Sequence, residues 1–299
     1  MEVSEKMKKR SFYIAGGDLR SVYLAKALAK EGFETAVFAL EGAALPESTG
    51  KIKTTEEFEK AENVILPLPC CDGEGFLKSA FSDERIPVSE IIGHLPKGAV
   101  LMGGLLPKSL SELAEERGIA VYDYYRREEF AVRNAALTAE AAAAIVMEML
   151  SESISTVPVL ILGHGRIGRL LSAILKALDA KVTVAARRYS DLAWIRSEGM
   201  TPLEFRLLDD EIGKFRVVFN TVPAMVLNRE KLVLMDKNAI IIDLASEPCG
   251  TDFTAAEELG ITAKKALGLP GKFAPKTAGE IVKDTVLNIL AEREDEHGK

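Results

Sequence analysis

One short stretch limits the folds open to this chain more than any other: residues 159–169, which read VLILGHGRIGR. Its apolar run predicts a buried strand, and its glycines predict a tight turn that leads into a helix. The spacing of Gly163, Gly165 and Gly168 fits the turn between the first strand and helix of a dinucleotide-binding βαβ unit. The stretch therefore predicts a parallel α/β sheet. It also raises the question of what the long segment before it does.

Strand-like and helix-like segments alternate before this turn as well as after it. The apolar stretches before the turn are residues 11–15, 35–40, 63–69, 99–104 and 119–124. After it, VPVLILG, KVTVAAR, VVFNTVP and AIIIDLAS continue the same pattern. Strands separated by helices form right-handed βαβ units and hence parallel sheets. We therefore predict two Rossmann-like, doubly wound α/β domains with a cleft between them.

The length of 299 residues is enough for about two domains. We predict an N-terminal, substrate-side domain over residues 1–133. A connecting helix is predicted over 134–150, where alanine dominates and glycine and proline do not occur. The NAD(P)-binding domain is predicted over 151–275. A C-terminal helix over 276–299, opening with a capping box at Thr277 to Glu280, is expected to pack back toward the first domain.

Charge and cysteine content exclude several classes of function. The net charge of −7 argues against nucleic acid as the main partner, because phosphate binding needs a basic face. The three cysteines include an adjacent pair, Cys70 and Cys71, and they fit a reducing cytosol better than a disulfide framework. Neither the cysteines nor the three histidines have metal-site spacing. With no apolar run of about 18 residues, we predict a cytoplasmic protein without a membrane or metal partner.

The glycine turn itself supplies the first cofactor contacts. Gly163 would permit the tight turn, Gly165 the close approach of a pyrophosphate, and Gly168 the packing of helix on strand. The helix that follows would present free N–H groups and its positive dipole end to phosphate. The cofactor-binding residues that we predict in the turn are Gly163, His164, Gly165, Arg166, Ile167 and Gly168.

The end of the next strand indicates which dinucleotide is bound. NAD enzymes usually place Asp or Glu here to bind the ribose hydroxyls, whereas this chain has Arg187 and Arg188. Guanidinium groups bind a 2′-phosphate through paired, charge-assisted hydrogen bonds. We therefore predict NADP, with NAD as the alternative if the arginines belong to a solvated loop and Asp191 takes the ribose.

Two further strand ends should line the same cleft, because ligands bind beyond the carboxyl ends of parallel strands. One contributes Thr221, Val222 and Pro223. The other contributes Asp243, Leu244 and Ala245. Ordinary turn chemistry is the alternative explanation for each of these residues.

Six motifs in order, AGGDLR, LPLPCCDGEG, LGHGRIGRLL, FNTVPAMVLN, DLASEPCGTDF and GLPGKFAPKTAGE, give the chain a resemblance to the family of dipicolinate synthase A subunits. The resemblance covers nearly the whole length. It implies a relative of the D-2-hydroxyacid dehydrogenases that oxidises dihydrodipicolinate, a lysine-pathway intermediate, to dipicolinate with NADP in sporulation. It also implies a partner, the flavoprotein-like B subunit of dipicolinate synthase, and we expect a homo-oligomer. The cofactor turn would come late because the first half is the substrate-side domain.

Glu247 marks a departure, since it stands where the family pattern has an arginine. The last loop also lacks the acid–base histidine of the hydroxyacid dehydrogenases. Candidates to hold the dicarboxylate substrate are Lys276, Arg20 and Arg133. Two other functions stay open: a non-catalytic, nucleotide-binding regulatory subunit, and a 2-hydroxyacid dehydrogenase-like oxidoreductase.

Overall fold

The structure, a computed structural model, describes residues 10–297, with side chains to residue 296. Two compact units divide the chain. The first runs to Arg133 and resumes at Ala274, and the second comprises Asn134–Phe273. The α-helices of the described part are α1 (Leu19–Lys30), α2 (Val88–His94), α3 (Lys108–Glu116), α4 (Glu128–Met149), α5 (Arg166–Ala177), α6 (Tyr189–Ser197), α7 (Leu208–Glu211), α8 (Arg229–Leu234), α9 (Phe253–Glu258), α10 (Leu269–Phe273) and α11 (Pro275–His297). The strands are β1 (Ser11–Ala15), β2 (Glu34–Phe38), β3 (Gly50–Lys51), β4 (Asn63–Ile65), β5 (Val100–Gly103), β6 (Ala120–Asp123), β7 (Pro158–Leu162), β8 (Lys181–Ala186), β9 (Thr201–Glu204), β10 (Val217–Asn220), β11 (Ile240–Asp243) and β12 (Thr262–Lys265).

The first unit is built on a parallel sheet with the strand order β3-β2-β1-β4-β5-β6. Its central strand β1 pairs on both sides, with Tyr13 opposite Ala36 of β2 and Val64 of β4. Buried apolar side chains cover the sheet, as expected for parallel strands that are packed on both faces. The chain reverses its winding direction at β1 and β4, and this is where open α/β sheets bind ligands.

The second unit repeats the same topology. Its parallel sheet has the order β12-β11-β10-β7-β8-β9, so β7 and β10 occupy the places that β1 and β4 hold in the first unit. Strands β10 and β11 are buried at every position, because helices cover both faces. Two parallel sheets of this order confirm the predicted fold class.

Helix α4 starts six residues before the predicted connecting helix and ends at Met149. Glu128 and Glu129 in its first turn favour a helix start there, since carboxylates interact well with the positive end of the helix dipole. From Ala139 onward its buried alanines belong to the core of the second unit. By length and composition α4 could span a membrane, but 56% of its most apolar window is buried, as in the core helix of a globular domain.

Helix α11 belongs to the first unit and packs against α1. It begins at Pro275, so Thr277 lies inside its first turn and the predicted capping box is wrong. Proline suits the first helical position, because the N–H that it lacks would have no partner there. Gly279 allows the close contact with α1: a methyl group on it would lie 2.6 Å from the carbonyl oxygen of Arg20 and 2.8 Å from the nitrogen of Leu24.

Two ion pairs hold the middle of the same helix. Arg133 Nη1 donates to Asp284 Oδ2 at 2.7 Å, and Lys283 donates to Glu31 at the end of α1. These contacts tie α11 to α1 and to the first turns of α4. The C-terminal segment is thereby a structural part of the first unit.

Candidate functional site

The turn between β7 and α5, Gly163–Gly168, is called the cofactor turn below. Gly163 has φ +100°, a conformation that favours glycine, and a methyl group on it would lie 2.5 Å from Thr221 Oγ1. A methyl group on Gly168 would lie 2.2 Å from the carbonyl oxygen of Gly163. Gly165 differs, because its added methyl would meet no protein atom within 4 Å. Gly163 and Gly168 thus allow close contacts within the protein, whereas Gly165 leaves open space for a ligand.

Helix α5 starts directly behind that open space. Its N-cap is Gly165, which has no side chain to satisfy the first N–H groups of the helix. Unsatisfied N–H groups and the positive dipole end make a helix start of this kind suitable for a pyrophosphate. The side chain of Ile167 is half-buried and packs against the core of the second unit, and its contact with a cofactor stays a prediction. The cofactor turn has the chemistry that a dinucleotide requires.

His164 is buried in the turn, with no exposed side-chain surface. Its Nε2 lies 3.4 Å from Glu198 Oε2, but among the described residues neither ring nitrogen has a hydrogen-bond partner of proper geometry. A buried imidazole cannot reach a ligand over the turn. The predicted contact of His164 with the cofactor is therefore restricted to its backbone.

Arg187 and Arg188 follow β8 on the exposed surface. The Arg187 guanidinium lies 5.7 Å from the centre of the Phe205 ring, a distance that permits a cation–π interaction. Within residues 10–297 neither arginine forms an ion pair with a carboxylate. Their charges therefore remain available to an anion at the end of β8.

The end of β10 lies against the cofactor turn. Thr221 donates from its backbone N and its Oγ1 to the carbonyl oxygen of Leu162, at 3.0 and 2.8 Å. Val222 is half-buried beside it and Pro223 is exposed. Because β7 and β10 are neighbours, this loop and the cofactor turn form the two sides of the switch point in the second sheet.

Asp243 has a different role from the predicted cofactor contact. Its carboxylate is fully buried and accepts four hydrogen bonds, from Asn220 Nδ2 (3.0 Å), Ala245 N (3.0 Å), Gly250 N (3.0 Å) and Thr251 Oγ1 (2.6 Å). Such a saturated carboxylate holds a loop and has no lone pair for a ligand. Asp243 therefore fixes the shape of the loop after β11. Leu244 and Ala245 are buried in that loop, which leaves them no exposed side chain for a cofactor.

Glu247 lies on the exposed part of the same loop and forms an ion pair with Lys265 at the end of β12. Nearby, the thiol of Cys249 is buried, and burial raises its pKa. A carboxylate paired with a lysine cannot replace the arginine of the family pattern. Position 247 therefore carries no positive charge of the kind that the family pattern provides.

The three predicted substrate residues all belong to the first unit, but they differ in surroundings. Arg20 lines a cavity of about 410 Å³ at the carboxyl ends of β1 and β4. Lys276 is exposed in the first turn of α11, one turn before the contact of Gly279 with Arg20. Arg133 is engaged with Asp284 and serves the packing of α11.

The sequence did not indicate the roles of two residues, Lys78 and Gly279. Lys78 lines the same cavity as Arg20, but the irregular loop that carries it has no periodicity by which to place it. Gly279 could have been found, because an isolated glycine within a helical pattern usually has a packing reason.

Comparison with known proteins defines the class of protein to which the second unit belongs. The D-isomer specific 2-hydroxyacid dehydrogenase NAD binding domain matches residues 121–248. D-lactate dehydrogenase from Salmonella superposes with a TM-score of 0.62 at 16% identity, over 93% of this chain and 95% of that chain. The second unit is therefore the nicotinamide-dinucleotide-binding domain of a dehydrogenase-like protein.

The particular family follows from closer relatives. The N-terminal domain of the dipicolinate synthase A subunit matches residues 11–125. The A subunit of dipicolinate synthase from Bacillus subtilis (strain 168) is 31% identical over 291 residues, which cover 96% of this chain and 97% of that protein. The crystal structure of the Bacillus halodurans A subunit has a TM-score of 0.87 and 30% identity, over 94% of this chain and 98% of that chain. The chain belongs to the family of dipicolinate synthase A subunits.

Proposed function

We propose that this chain catalyses the NADP-dependent oxidation of dihydrodipicolinate to dipicolinate (pyridine-2,6-dicarboxylate), in the cytoplasm of a sporulating cell and beside a second, flavoprotein-like subunit. The observation that carries the proposal is the cofactor turn, with open space over Gly165, in a chain of the family of dipicolinate synthase A subunits. We also expect the chain to form a homo-oligomer.

The choice of NADP rests on Arg187 and Arg188. A 2′-phosphate is a dianion at neutral pH, and two unpaired guanidinium groups at the end of β8 would bind it with charge-assisted hydrogen bonds. An acidic residue at this place would repel it. NAD lacks the phosphate and would gain little from either arginine.

The reaction removes two hydrogens from the dihydropyridine ring. When bound, the dinucleotide supplies the hydride acceptor, and a proton leaves to water or to a weak base. Because the product is aromatic, loss of the hydride is favourable without a strong acid–base residue. The chain then chiefly has to hold the dicarboxylate in place, since positioning by itself can contribute several kcal/mol. Lys276 and Arg20 are proposed for this, whereas the ion pair with Asp284 makes Arg133 the weakest of the three candidates.

The test uses the purified chain without a partner. Dihydrodipicolinate is generated in place from aspartate semialdehyde and pyruvate by the upstream synthase, and dipicolinate formation is followed with NADP⁺ or NAD⁺. We expect product above the spontaneous rate, formed faster with NADP⁺. No product until the flavoprotein-like partner is added would favour a nucleotide-binding subunit whose catalytic site is shared or lies in the partner. Turnover of 2-hydroxy acids in its place would favour the hydroxyacid dehydrogenase function.

A matched pair of variants tests the cofactor preference. Arg187→Ser with Arg188→Ser should weaken NADP⁺ binding by about 10- to 100-fold, the usual effect of losing hydrogen bonds between charged groups, and should leave NAD⁺ binding unchanged. Arg196→Ser, at the far end of α6, is the control and should change neither. Equal loss for both cofactors would contradict the assignment of the 2′-phosphate to these arginines.

A further inference from the structure

We propose that the cavity at the switch point of the first sheet binds one carboxylate group of the substrate, with Arg20 as its main ligand, Lys78 as a second cation and Asp18 as a positioning residue. The identity of the ligand as a pyridine dicarboxylate rests on the proposed function. The carboxylate site itself rests on the first unit alone.

The position of the cavity is the first argument. It lies beyond the carboxyl ends of β1 and β4, where residues such as Gly17 and Pro67 face each other across the switch point. Sheets with this strand order bind their ligands at this place. The volume of about 410 Å³ is within the range of small-molecule sites.

A dinucleotide does not fit this switch point, because protein already covers its turn. Gly17 donates its N–H to the carbonyl oxygen of Lys78 at 2.7 Å, and Ala80 donates to the carbonyl oxygen of Gly17 at 2.8 Å. A methyl group on Gly16 would lie 2.6 Å from the same Lys78 oxygen. The backbone N–H that could face a phosphate is therefore used by the loop that carries Lys78. Only a smaller anion, bound through side chains, remains possible.

Hydrogen bonds fix the guanidinium of Arg20 in a position from which it can bind a small anion. Its side chain is 17% exposed. Its Nε donates to Asp18 Oδ1 at 2.9 Å, and its Nη2 donates to Asp18 Oδ2 at 2.8 Å and to the carbonyl oxygen of Leu68 at 2.5 Å. A guanidinium has five N–H donors, and these bonds engage three of them. The two N–H groups of Nη1 take no part in the bonds to Asp18 and Leu68 and can bind a carboxylate.

Asp18 fixes the direction of the guanidinium. It also caps α1, since its Oδ1 accepts from the backbone N of Arg20 at 2.9 Å. Burial raises its pKa, but the hydrogen bonds and the charge of Arg20 outweigh this and leave the pKa of Asp18 below its ordinary value. Both carboxylate oxygens of Asp18 thus accept hydrogen bonds from Arg20.

The charges around the cavity favour one carboxylate. Arg20 and Lys78 are cations and Asp18 is an anion, so these side chains sum to one positive charge. The remaining wall includes apolar groups, among them Pro67 and Leu77, against which a flat ring can pack. A ring that carries a carboxylate matches both properties.

Calorimetric titration of the full chain with dipicolinate tests the proposal, and the neutral isostere pyridine-2,6-dicarboxamide is the probe without charge. We expect Arg20→Gln to weaken dipicolinate binding by about 10- to 100-fold, because the bonds lost are between charged groups. Lys78→Met should weaken it by less, since this side chain is exposed. The controls are Arg117→Gln and Lys108→Met, cations of the first unit that lie outside the residues named for the cavity and should bind as the wild type does.

Asp18→Asn tests the positioning role, because asparagine still caps a helix but loses the charge that holds Arg20. We expect weaker dipicolinate binding in the wild-type background and no further weakening when Arg20→Gln is already present. Unchanged dipicolinate binding in Asp18→Asn would mean that Asp18 acts only as a helix cap, and additive losses would mean that it acts independently of Arg20; either result would overturn the positioning role. NADP⁺ binding, measured in each variant, should stay unchanged because the cofactor turn belongs to the other unit.

The outcomes separate the site from the function. Dipicolinate binding that depends on Arg20 supports the site, even if the oxidation assay is negative and the proposed function fails. Binding that is absent, equal in Arg20→Gln, or equal for the neutral diamide overturns the site, even if the enzyme oxidises dihydrodipicolinate.

Discussion

The two units share a strand order but differ in the turn that follows the first strand. In both, the first glycine donates to the end of the second strand, Gly16 to Phe38 and Gly163 to Ala185, each at 2.9 Å. In the second unit the turn then stays open over Gly165, whereas in the first unit the loop that carries Lys78 bonds to Gly17. Topology therefore provides the same place for a ligand twice, and local contacts decide whether a dinucleotide or a small anion fits there.

The largest expected effect comes from adding a methyl group at the tightest contact within the cofactor turn. Gly168→Ala should destabilise the second unit by about 2–3 kcal/mol and abolish NADP⁺ binding, because the new methyl group would meet the Gly163 carbonyl oxygen at 2.2 Å. Urea unfolding followed by the fluorescence of Trp194, the single tryptophan of the chain, measures the stability of this unit.

Gly165→Ala is the control for this change. Its methyl group meets no protein atom, so we expect unchanged unfolding and NADP⁺ binding weakened at least about tenfold by the steric conflict with the pyrophosphate. Unchanged NADP⁺ binding in Gly165→Ala would show that the ligand does not lie over this glycine, and the contrast between the two turns would lose its main support.

The next effect concerns the buried side chain of Asp243 at the end of β11. Asp243→Asn should cost about 2–3 kcal/mol, since an amide cannot accept all four hydrogen bonds and its NH₂ would face other donors. Asp252→Asn is the control and should change stability by less than about 0.5 kcal/mol, because asparagine also caps a helix well. Equal unfolding midpoints for the two variants would contradict the loop-holding role of Asp243.

A smaller effect tests the helix that completes the first unit. Gly279→Ala gains about 1 kcal/mol of helix propensity, but its methyl group would lie 2.6 Å from the Arg20 carbonyl oxygen. We expect a net loss of about 1–2 kcal/mol in thermal unfolding measured by circular dichroism. Gly93→Ala near the end of α2, where nothing lies within 4 Å, should be neutral or stabilising by up to about 1 kcal/mol. A stabilised Gly279→Ala would mean that α1 and α11 can move apart at little cost.

The smallest effect is a pH dependence that only the turn of the first unit should have. Because the folded-state pKa of Asp18 is lowered, its contribution to stability is present above the unfolded pKa of about 3.9 and is lost as the pH falls through the folded pKa. The stability difference between wild type and Asp18→Asn should therefore shrink as the pH falls below about 4. We expect at most about 1 kcal/mol at pH 7, since the side chain is partly exposed. A difference that stays constant from pH 7 to pH 2 would contradict the ion pair with Arg20.

What could be predicted from the sequence depended on local patterns. The glycine spacing and the apolar strands predicted both sheets and the cofactor turn, because backbone conformation and strand burial leave their marks within a few residues. The predicted start of α11 at residue 276 is one residue after the observed start at Pro275, but the predicted capping box at Thr277 is wrong, because proline takes the first helical position. The predicted start of α4 is six residues late, because the alanine-rich stretch indicates only the middle and end of the helix, whereas its first turn is acidic.

The sequence by itself determined the class of fold, the place of the dinucleotide turn and the family. Only the tertiary structure decided that Asp243 holds a loop, that Arg133 serves helix packing, and that Lys78 joins Arg20 at one cavity. These roles depend on partners that can be distant along the chain: Asn220 lies 23 residues from Asp243, and Asp284 lies 151 residues from Arg133. The physical reason is that a charged side chain acquires its role from the groups around it, and those groups meet only when the chain has folded.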